Sequence, residues 1–272
     1  MRDGAFRGRR ALVTGGSSGI GRALAFALAR AGAHVGIVAR RTEALEETTA
    51  ALRAAAPASA VTHAVADVAD PEQAGRAVAA CATALGGLDL LVNNAGIAVA
   101  RRFEDTPLEV YRELVDVNFL GAVHMTRASL GHLGPGANIL NVSSLAGALA
   151  VFGYAAYAPS KFALTGFSEV LRQELRPRGI TVSVLLPPDT DTPQLAEENR
   201  DKPAETRALA GTVPVLAPET VADAALAGLV RGRAWIVPGW RARGVLFAAR
   251  HCPGLVRWSV DREIARARRG AG

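Results

Sequence analysis

The stretch ALVTGGSSGIGRALAFALA, residues 11–29, contains a short apolar run, a glycine-rich turn and a helical stretch in direct succession. Its glycines Gly15, Gly19 and Gly21 allow the backbone to turn sharply and to approach a pyrophosphate group closely. The helix that follows would offer backbone N–H donors and the positive end of its dipole to the same group. An ordinary tight turn is the alternative interpretation, but the strand–turn–helix order is what a phosphate-binding loop requires.

Apolar runs alternate with helical patterns along the rest of the chain. Six more short runs, of which HVGIVA (34–39) and LDLLVNNAG (88–96) are examples, are separated by helix-forming segments. Such alternation is typical of right-handed βαβ units in a parallel sheet that is covered on both faces. We therefore predict an α/β fold of the Rossmann-like, doubly wound type, with a mainly seven-stranded parallel sheet and helices on both faces.

The expected domain boundaries follow from the last apolar run. Residues 1–240 are expected to form a dinucleotide-binding catalytic domain with an inserted segment at about 190–216, and residues 241–272 to form a basic C-terminal tail. Within the domain, a cap–proline pair at 106–107 predicts one long helix that continues to about Leu130.

The composition excludes several classes of protein. Half of the residues are hydrophobic and 21% are charged, so the chain can bury a large core. The two cysteines and five histidines lack the spacing of metal ligands, and we expect no metal site. The sequence shows neither a signal peptide nor an apolar run of about 18 residues, so we expect a cytoplasmic location.

Positive charge is concentrated near the C-terminus. Residues 228–272 contain ten arginines against Asp261 and Glu263, together with all three tryptophans of the chain. A basic segment that carries tryptophan can bind an anionic membrane surface, and we expect peripheral membrane contact as one role of the tail. A solvated basic face or a contact between subunits is the alternative. The sequence shows no nucleic-acid-binding module, so we expect no nucleic-acid partner.

Two arginines follow the second apolar run, in the segment VARR. An acidic residue at this position would bind the 2′-hydroxyl of an NAD ribose, whereas a guanidinium suits the 2′-phosphate of NADP. Arg40 occupies the position, and Arg41 follows it. The sequence therefore predicts NADP(H) as the cofactor.

A serine, a tyrosine and a lysine with catalytic potential lie in the second half of the chain. Tyr157 and Lys161 are four residues apart, so both face the same side of a helix. A nearby ammonium stabilises a phenolate, and we expect Lys161 to lower the pKa of Tyr157. Ser144, in NVSS, can hydrogen-bond a carbonyl oxygen on which negative charge develops. Only Lys161 and Lys202 are lysines among the 31 basic residues, which indicates a specific role for each.

Four motifs occur in one order: the glycine-rich loop, NNAG at 93–96, the serine of NVSS, and the Y-x-x-x-K pair. Over about residues 8–237 the chain resembles the short-chain dehydrogenase/reductases. The resemblance implies that NADPH gives a hydride to a carbonyl carbon while Tyr157 gives the proton. It also implies that Asn118, in DVNFLG, holds a water-linked proton relay behind Lys161, and that the protein is a homodimer or homotetramer.

The glycine-rich loop, the arginines after the second apolar run and the family resemblance together predict the catalytic and the cofactor-binding residues. The catalytic set is Asn118, Ser144, Tyr157 and Lys161. The cofactor-binding set is Thr14, Gly15, Ser17, Ser18, Gly19, Ile20, Gly21, Arg40, Arg41, Asp67, Val68, Asn94, Ala95, Gly96, Tyr157, Lys161, Pro187, Thr190 and Thr192.

The segment PPDTDTPQLAEENRDKP, residues 187–203, departs from the Pro-Gly pair that most members of this family carry after the sixth strand. Together with ARRFEDTP, at 100–107, it is similar to the 3-ketodihydrosphingosine reductases. This narrower resemblance implies NADPH-dependent reduction of the 3-keto group of a long-chain 2-amino-1-hydroxy ketone in sphingolipid synthesis. The alternatives are reduction of another lipid-like ketone, such as a 3-oxoacyl thioester, a steroid or a retinoid, and NADP(H) binding without turnover.

Candidate substrate contacts lie in the same region and just after the serine. Asp189 and Asp191 can offer carboxylates to the ammonium of such a substrate, or they can favour the N-terminus of a helix that Thr192 caps. Phe152 and Leu149 can contact an acyl chain or pack in the core.

Overall fold

Seven parallel strands form one sheet in the computed structural model, which describes residues 4–270. They are β1 (Arg10–Thr14), β2 (His34–Ala39), β3 (Val61–Val65), β4 (Leu88–Asn93), β5 (Leu133–Val142), β6 (Thr181–Leu185) and β7 (Trp235–Ile236). Their order across the sheet is β3-β2-β1-β4-β5-β6-β7, and every neighbouring pair is parallel. The predicted seven-stranded, doubly wound α/β fold is confirmed.

Helices fill each connection between the strands, and two more follow β7. They are α1 (Gly19–Arg30), α2 (Thr42–Ala55), α3 (Pro71–Leu85), α4 (Leu108–Val115), α5 (Gly121–Ser129), α6 (Tyr157–Leu175), α7 (Pro193–Asp201), α8 (Ala204–Ala210), α9 (Pro218–Val230), α10 (Trp240–His251) and α11 (Pro253–Gly270). Helices α1, α2 and α9 cover one face of the sheet, and α3, α5 and α6 cover the other.

Large aliphatic side chains hold both helical layers against the sheet. On one face, Leu28 of α1 and Leu226 of α9 belong to the same buried core as Ile37 of β2. On the other face, Met125 of α5 shares a core with Leu91 of β4. Burying one such side chain stabilises the fold by about 1.5–3 kcal/mol, so apolar residues on both faces of the strands fix the layered arrangement.

The strand order reverses at β1: β2 and β3 lie on one side of it, and β4 and the later strands lie on the other. The carboxyl ends of β1 and β4 therefore border a crevice, the usual ligand position in an open α/β sheet. Thr14, the last residue of β1, accepts hydrogen bonds on its hydroxyl from the N–H groups of Asn94, at 2.9 Å, and Ala95, at 3.0 Å. This side chain fastens the start of the glycine-rich loop to NNAG.

A π-helical turn interrupts the long helix that the sequence predicted from residue 106 to Leu130. Helix α4 ends at Val115, the turn covers Asp116–Leu120, and α5 begins directly after it. The prediction of one continuous α-helix is therefore wrong. The wider turn shifts the direction of the side chains, and such turns often occur at functional sites. Here the turn contains Asn118, which is 1% exposed.

The inserted segment and the C-terminal tail are both helical, and α11 packs against α8. Their junction contains Glu205 of α8, which is 1% exposed. Its carboxylate accepts hydrogen bonds from Arg102, at 2.9 Å, and from Arg268 of α11, at 3.2 Å. The tail is thus held to α8, and α8 in turn to the loop after β4. Among residues 4–270, none of the helices is long and apolar enough to cross a membrane.

Candidate active site

A cavity of about 820 Å³ opens at the carboxyl ends of β1, β4, β5 and β6. One side of it is formed by residues that follow these strands, namely Gly15, Asn94, Ser144 and Pro187. Residues of α7, α8, α10 and α11 line the rest of it. The cavity therefore combines the expected ligand position of the sheet with the inserted segment and the tail.

The glycine-rich loop has the backbone that a pyrophosphate requires. Gly15 has a φ of 63°, and a Cβ added there would lie 2.8 Å from the side-chain nitrogen of Asn94. Ser18, the N-cap residue of α1, makes no side-chain hydrogen bond to the helix, so the first N–H groups of α1 stay available to a ligand. A Cβ on Gly19 would come within 3.1 Å of Thr192, so the loop after β6 closely approaches this helix end. These residues fit a dinucleotide phosphate group.

The residues predicted to bind a 2′-phosphate lie at the carboxyl edge of β2. The Arg40 guanidinium lies 3.9 Å from the carboxylate of Asp67, which follows β3. The Arg40 side chain is 60% exposed, and an ion pair so open to water is weak, so the guanidinium is available to a phosphate. Arg41 is also exposed and precedes α2 as its N-cap residue, whereas Val68 is buried.

Tyr157, Lys161 and Ser144 come together where α6 begins beside the end of β5, and all three line the cavity. The Lys161 ammonium donates a hydrogen bond to the backbone carbonyl of Val142 at 3.0 Å and lies 5.9 Å from the centre of the Tyr157 ring. Ser144 accepts a hydrogen bond from the N–H of Ala146 at 3.1 Å, which orients its hydroxyl oxygen. Strand β5 and helix α6 thus bring the three side chains to one place.

Buried polar side chains fasten α6 to the end of β5. The Ser143 hydroxyl donates to the backbone carbonyl of Lys161 at 3.0 Å and lies 2.9 Å from the hydroxyl of Thr165. One turn further along, Asn141 donates to the hydroxyl of Ser168 at 2.9 Å. Because an unpaired buried polar group is costly, these bonds fix the position of α6 along the strand.

Asn118 is held by hydrogen bonds at both ends of its amide. Its oxygen accepts from the N–H of Ile97 at 2.8 Å, and its nitrogen donates to the Ile97 carbonyl and to the Ser160 hydroxyl, each at 2.9 Å. A Cβ on Gly96 would lie 3.0 Å from the Asn118 oxygen and 3.3 Å from the Lys161 nitrogen. The glycine that ends NNAG therefore allows the amide and the ammonium to approach the same backbone.

Burial controls the ionisation of both residues of the Y-x-x-x-K pair. It raises the pKa of Tyr157; the hydrogen bond with Ser144 opposes this rise, while the Glu198 and Asp189 carboxylates add to it. Burial also lowers the pKa of Lys161 to about 8. The expectation that Lys161 lowers the pKa of Tyr157 is therefore wrong for the protein alone. The phenol is protonated at neutral pH, which is the form that a proton donor needs.

The loop after β6 separates the two aspartates that were candidate substrate contacts. Asp189 lines the cavity, whereas Asp191 is exposed. Thr192 caps α7 by accepting a hydrogen bond from the N–H of Leu195 at 3.2 Å, so the capping alternative is present. Thr190 is buried in the same loop and also lines the cavity.

The two candidate acyl-chain residues are also separated. Leu149 lines the cavity. Phe152 lies on a neighbouring groove, where the guanidinium of Arg268 stacks over its ring at 5.7 Å from the ring centre.

Tyr154 and Glu198, which also line the cavity, are not among the site residues predicted from the sequence. The Tyr154 hydroxyl donates a hydrogen bond to the Glu198 carboxylate, and the same carboxylate oxygen lies 2.8 Å from the ammonium of Lys202. A signal was present in the sequence: Lys202 is one of two lysines, and Glu198 precedes it by four residues, or about one helical turn.

Comparison with known proteins identifies related chains. The sequence profile of the short chain dehydrogenase family matches residues 9–203. A 3-dehydrosphinganine reductase of Danio rerio is 39% identical over 230 residues, which cover 83% of this chain and 69% of that protein. A 3-ketodihydrosphingosine reductase of Bos taurus is 37% identical over 233 residues, which cover 84% of this chain and 70% of that protein.

Solved structures of related proteins share the fold. A short chain dehydrogenase from Burkholderia cenocepacia in complex with NADP has a TM-score of 0.76 and 34% identity, with 88% of this chain and 99% of that chain covered. A dehydrogenase/reductase from Sinorhizobium meliloti has a TM-score of 0.76 and 30% identity, with 87% and 95% covered.

Proposed function

The chain belongs to the short chain dehydrogenase family, and from this premise we propose that it reduces the 3-keto group of 3-ketodihydrosphingosine with NADPH. The family resemblance drawn from the four motifs is confirmed, and the chain is an oxidoreductase of this family. Two of its relatives are named for this reaction, and one structural relative is a complex with NADP.

One observation carries the proposal: a single cavity is lined both by the reactive residues and by apolar side chains of the C-terminal helices. Tyr157 and Ser144 line it where α6 begins beside the end of β5, and Val245 of α10 and Val256 and Val260 of α11 line it as well. A ketone with an aliphatic chain needs both features, because its carbonyl must reach a proton donor while its chain leaves water.

Each catalytic residue has a role that its position supports. A bound reduced nicotinamide would supply the hydride to the carbonyl carbon. Ser144 donates a hydrogen bond to the carbonyl oxygen and stabilises the charge that develops on it. Tyr157 gives its phenolic proton to that oxygen, and the ammonium of Lys161 stabilises the phenolate that remains. Asn118, fixed in the π turn, serves the proton relay behind Lys161.

The residues proposed to hold NADP(H) divide by the part of the cofactor they meet. The glycine-rich loop would bind the pyrophosphate, Arg40 and Arg41 the 2′-phosphate, and Asp67 and Val68 the adenine. The residues proposed for the nicotinamide half are Asn94, Ala95, Gly96, Tyr157, Lys161, Pro187, Thr190 and Thr192.

The consumption of NADPH with two substrates tests the function. The substrates are 3-ketodihydrosphingosine and a 3-oxoacyl thioester of the same chain length. We expect kcat/KM to be at least about tenfold higher for the first, which corresponds to ~1.4 kcal/mol of differential transition-state binding. Preference for the thioester would assign the chain to another reductase of the family. Binding of NADPH without turnover of either would contradict reduction altogether.

We also propose a division of labour within the chain, in which residues 1–240 form the catalytic domain and residues 241–272 bind an anionic membrane surface. Helices α10 and α11 are rich in arginine. The guanidinium groups of Arg241 and Arg262 stack on tryptophan rings, each at 5.3 Å from a ring centre. The apolar side chains exposed on these helices are Phe247, Leu255 and Trp258, together with Trp240, which begins α10 just before the tail.

This combination suits the boundary between water and lipid. Aromatic rings bury in the headgroup region while arginine binds anionic lipid. Other residues of α10 and α11 line the cavity, so the same two helices would lie between a membrane-dissolved substrate and Tyr157.

Sedimentation with vesicles tests the membrane contact. Because α10 and α11 also line the cavity, point variants are more informative than truncation. We expect the Trp240→Ala, Trp258→Ala double variant to bind equimolar phosphatidylcholine–phosphatidylserine vesicles at least about tenfold more weakly than the parent chain. The control is the Val65→Ala, Val215→Ala double variant, which removes exposed apolar groups from the catalytic domain. Equal binding of all three proteins would contradict the proposal.

We further propose that the chain is a homo-oligomer that pairs through α4 and α6. These neighbouring helices expose Leu108, Val115, Phe162 and Val170. Such a cluster of exposed apolar side chains marks a contact surface. Light scattering should give the mass of a dimer or tetramer, and Val170→Glu should lower it to that of a monomer. A monomeric parent chain would contradict the proposal.

A further inference from the structure

A charged cluster lies in the cavity next to the catalytic tyrosine. Lys202, whose side chain is 2% exposed, lies 2.8 Å from a carboxylate oxygen of Glu198 and 3.7 Å from one of Asp189. Glu198 is 7% exposed, and Asp189 is 33% exposed. The Tyr154 hydroxyl donates to the same Glu198 oxygen, Oε1, that Lys202 meets. The second oxygen of Glu198 remains for a ligand in the cavity that this residue lines.

The cluster has an excess of negative charge. It contains two carboxylates and one ammonium, so one negative charge is left, and the side chains of Glu198 and Lys202 have little access to water. Excess charge in such a place is costly unless a partner of opposite sign pairs with it. A cationic group on a ligand would complete the pairing.

The cluster is also close to the reacting groups. The ring of Tyr154 lies 5.4 Å from the ring of Tyr157, measured between their centres. Both Glu198 and Asp189 act electrostatically on Tyr157 and raise its pKa. A cation that neutralises the two carboxylates would therefore make Tyr157 a stronger acid at the point where it must give up a proton.

We propose that Glu198, with Asp189 as a second carboxylate, binds the ammonium group of the substrate, and that the site thereby selects 2-amino ketones over ketones without an amine. Tyr154 and Lys202 are positioning residues, since they hold the Glu198 carboxylate through one of its oxygens. This inference rests on the proposed function. In a 2-amino ketone the ammonium is on the carbon next to the carbonyl, so one substrate can reach Tyr157 and Glu198 together.

The contribution of Glu198 to kcat/KM can be expected from the loss of one charged contact, that between its carboxylate and the substrate ammonium. Glu198→Gln keeps the shape and the hydrogen-bond acceptor for Tyr154 but removes the charge. A hydrogen bond to a charged group corresponds to about 10- to 100-fold in kcat/KM. The variant should lose that factor with the amino ketone. With a matched 1-hydroxy 3-ketone that lacks the amine, kcat/KM should show no loss and should rise modestly, since the charge that raises the pKa of Tyr157 is gone.

Two further variants separate recognition from folding. Glu197→Gln is the matched control, because Glu197 is the preceding residue on α7 and its side chain is 67% exposed. It should leave both substrates unaffected. Asp189→Asn removes the more exposed carboxylate and should show a smaller loss of the same kind. NADPH titration and the thermal midpoint of each variant report whether the fold is retained.

The outcomes distinguish this inference from the function on which it rests. A loss confined to the amino ketone in Glu198→Gln and Asp189→Asn supports amine recognition. Equal losses with both ketones, or no loss in either variant, overturn amine recognition but leave ketone reduction intact. If the parent chain reduces neither ketone while it still binds NADPH, the proposed function and this inference fail together.

Discussion

Replacing Tyr157 with phenylalanine should lower kcat for ketone reduction by about a thousandfold, within the 10²–10⁴ range of a positioned proton donor. Burial raises the pKa of Tyr157, so the wild-type phenol is protonated at neutral pH and can give its proton to the carbonyl oxygen. Phenylalanine has the same ring and packing but no proton to give. Because the proton moves only in the chemical step, we expect KM and the NADPH dissociation constant to change by less than about threefold.

The matched control for this variant is Tyr111→Phe. The Tyr111 hydroxyl is buried, and among residues 4–270 it has no hydrogen-bond partner, so its removal should be neutral for activity. Single-turnover kinetics with NADPH would measure the chemical step directly. Residual activity of Tyr157→Phe within about tenfold of the parent chain would contradict the role of proton donor. Loss of NADPH binding would show a structural effect instead.

The layered fold could be predicted because local patterns and long-range packing agree. Apolar strands such as β4 alternate with helices that begin at recognisable caps; α3, for example, begins after Asp70, which accepts hydrogen bonds from two backbone N–H groups. Each such unit can bury its apolar surface in only one way against a parallel sheet. The π turn at Asp116–Leu120 could not be predicted, because its residues have ordinary helical propensity. Contacts between Asn118 and Ile97, distant in sequence, accompany the turn.

The candidate site, like the fold, has one part that could be predicted from the sequence and one part that could not. Tyr157, Lys161 and Ser144 lie in short motifs whose spacing is set by one helix or one strand end, and the structure brings them together. The pairing of Glu198 with Tyr154 depends on how the inserted segment packs against the rest of the chain. No short sequence motif specifies that packing. The sequence also predicted the wrong direction for the pKa shift of Tyr157. The shift comes mainly from burial, which depends on the whole fold and not on a short motif.

Replacing Arg40 with aspartate should lower the ratio of kcat/KM for NADPH over NADH by about a hundredfold, since a charge-assisted hydrogen bond to phosphate contributes about 1.5–3 kcal/mol and the new carboxylate adds repulsion. Arg40 follows β2 at the edge of the cofactor crevice, and its side chain is 60% exposed. The new aspartate would lie beside Asp67, which the lost guanidinium approaches to 3.9 Å. Two neighbouring carboxylates repel a 2′-phosphate but can accept a hydrogen bond from a 2′-hydroxyl.

A control variant with the same change of net charge at a distant surface position shows whether the effect of Arg40→Asp is local to the 2′-phosphate or due to the overall charge of the protein. Arg176→Asp alters the net charge by the same amount at an exposed position before β6, where the amino ends of the strands lie. Because charges farther apart than about 8 Å are largely screened at physiological ionic strength, this control should leave the cofactor ratio unchanged. Arg40→Ser removes the cation without adding a carboxylate, so it should weaken NADPH binding without improving NADH binding. An unchanged ratio in Arg40→Asp would contradict the 2′-phosphate assignment, because no other effect of the substitution could compensate for both the lost attraction and the added repulsion.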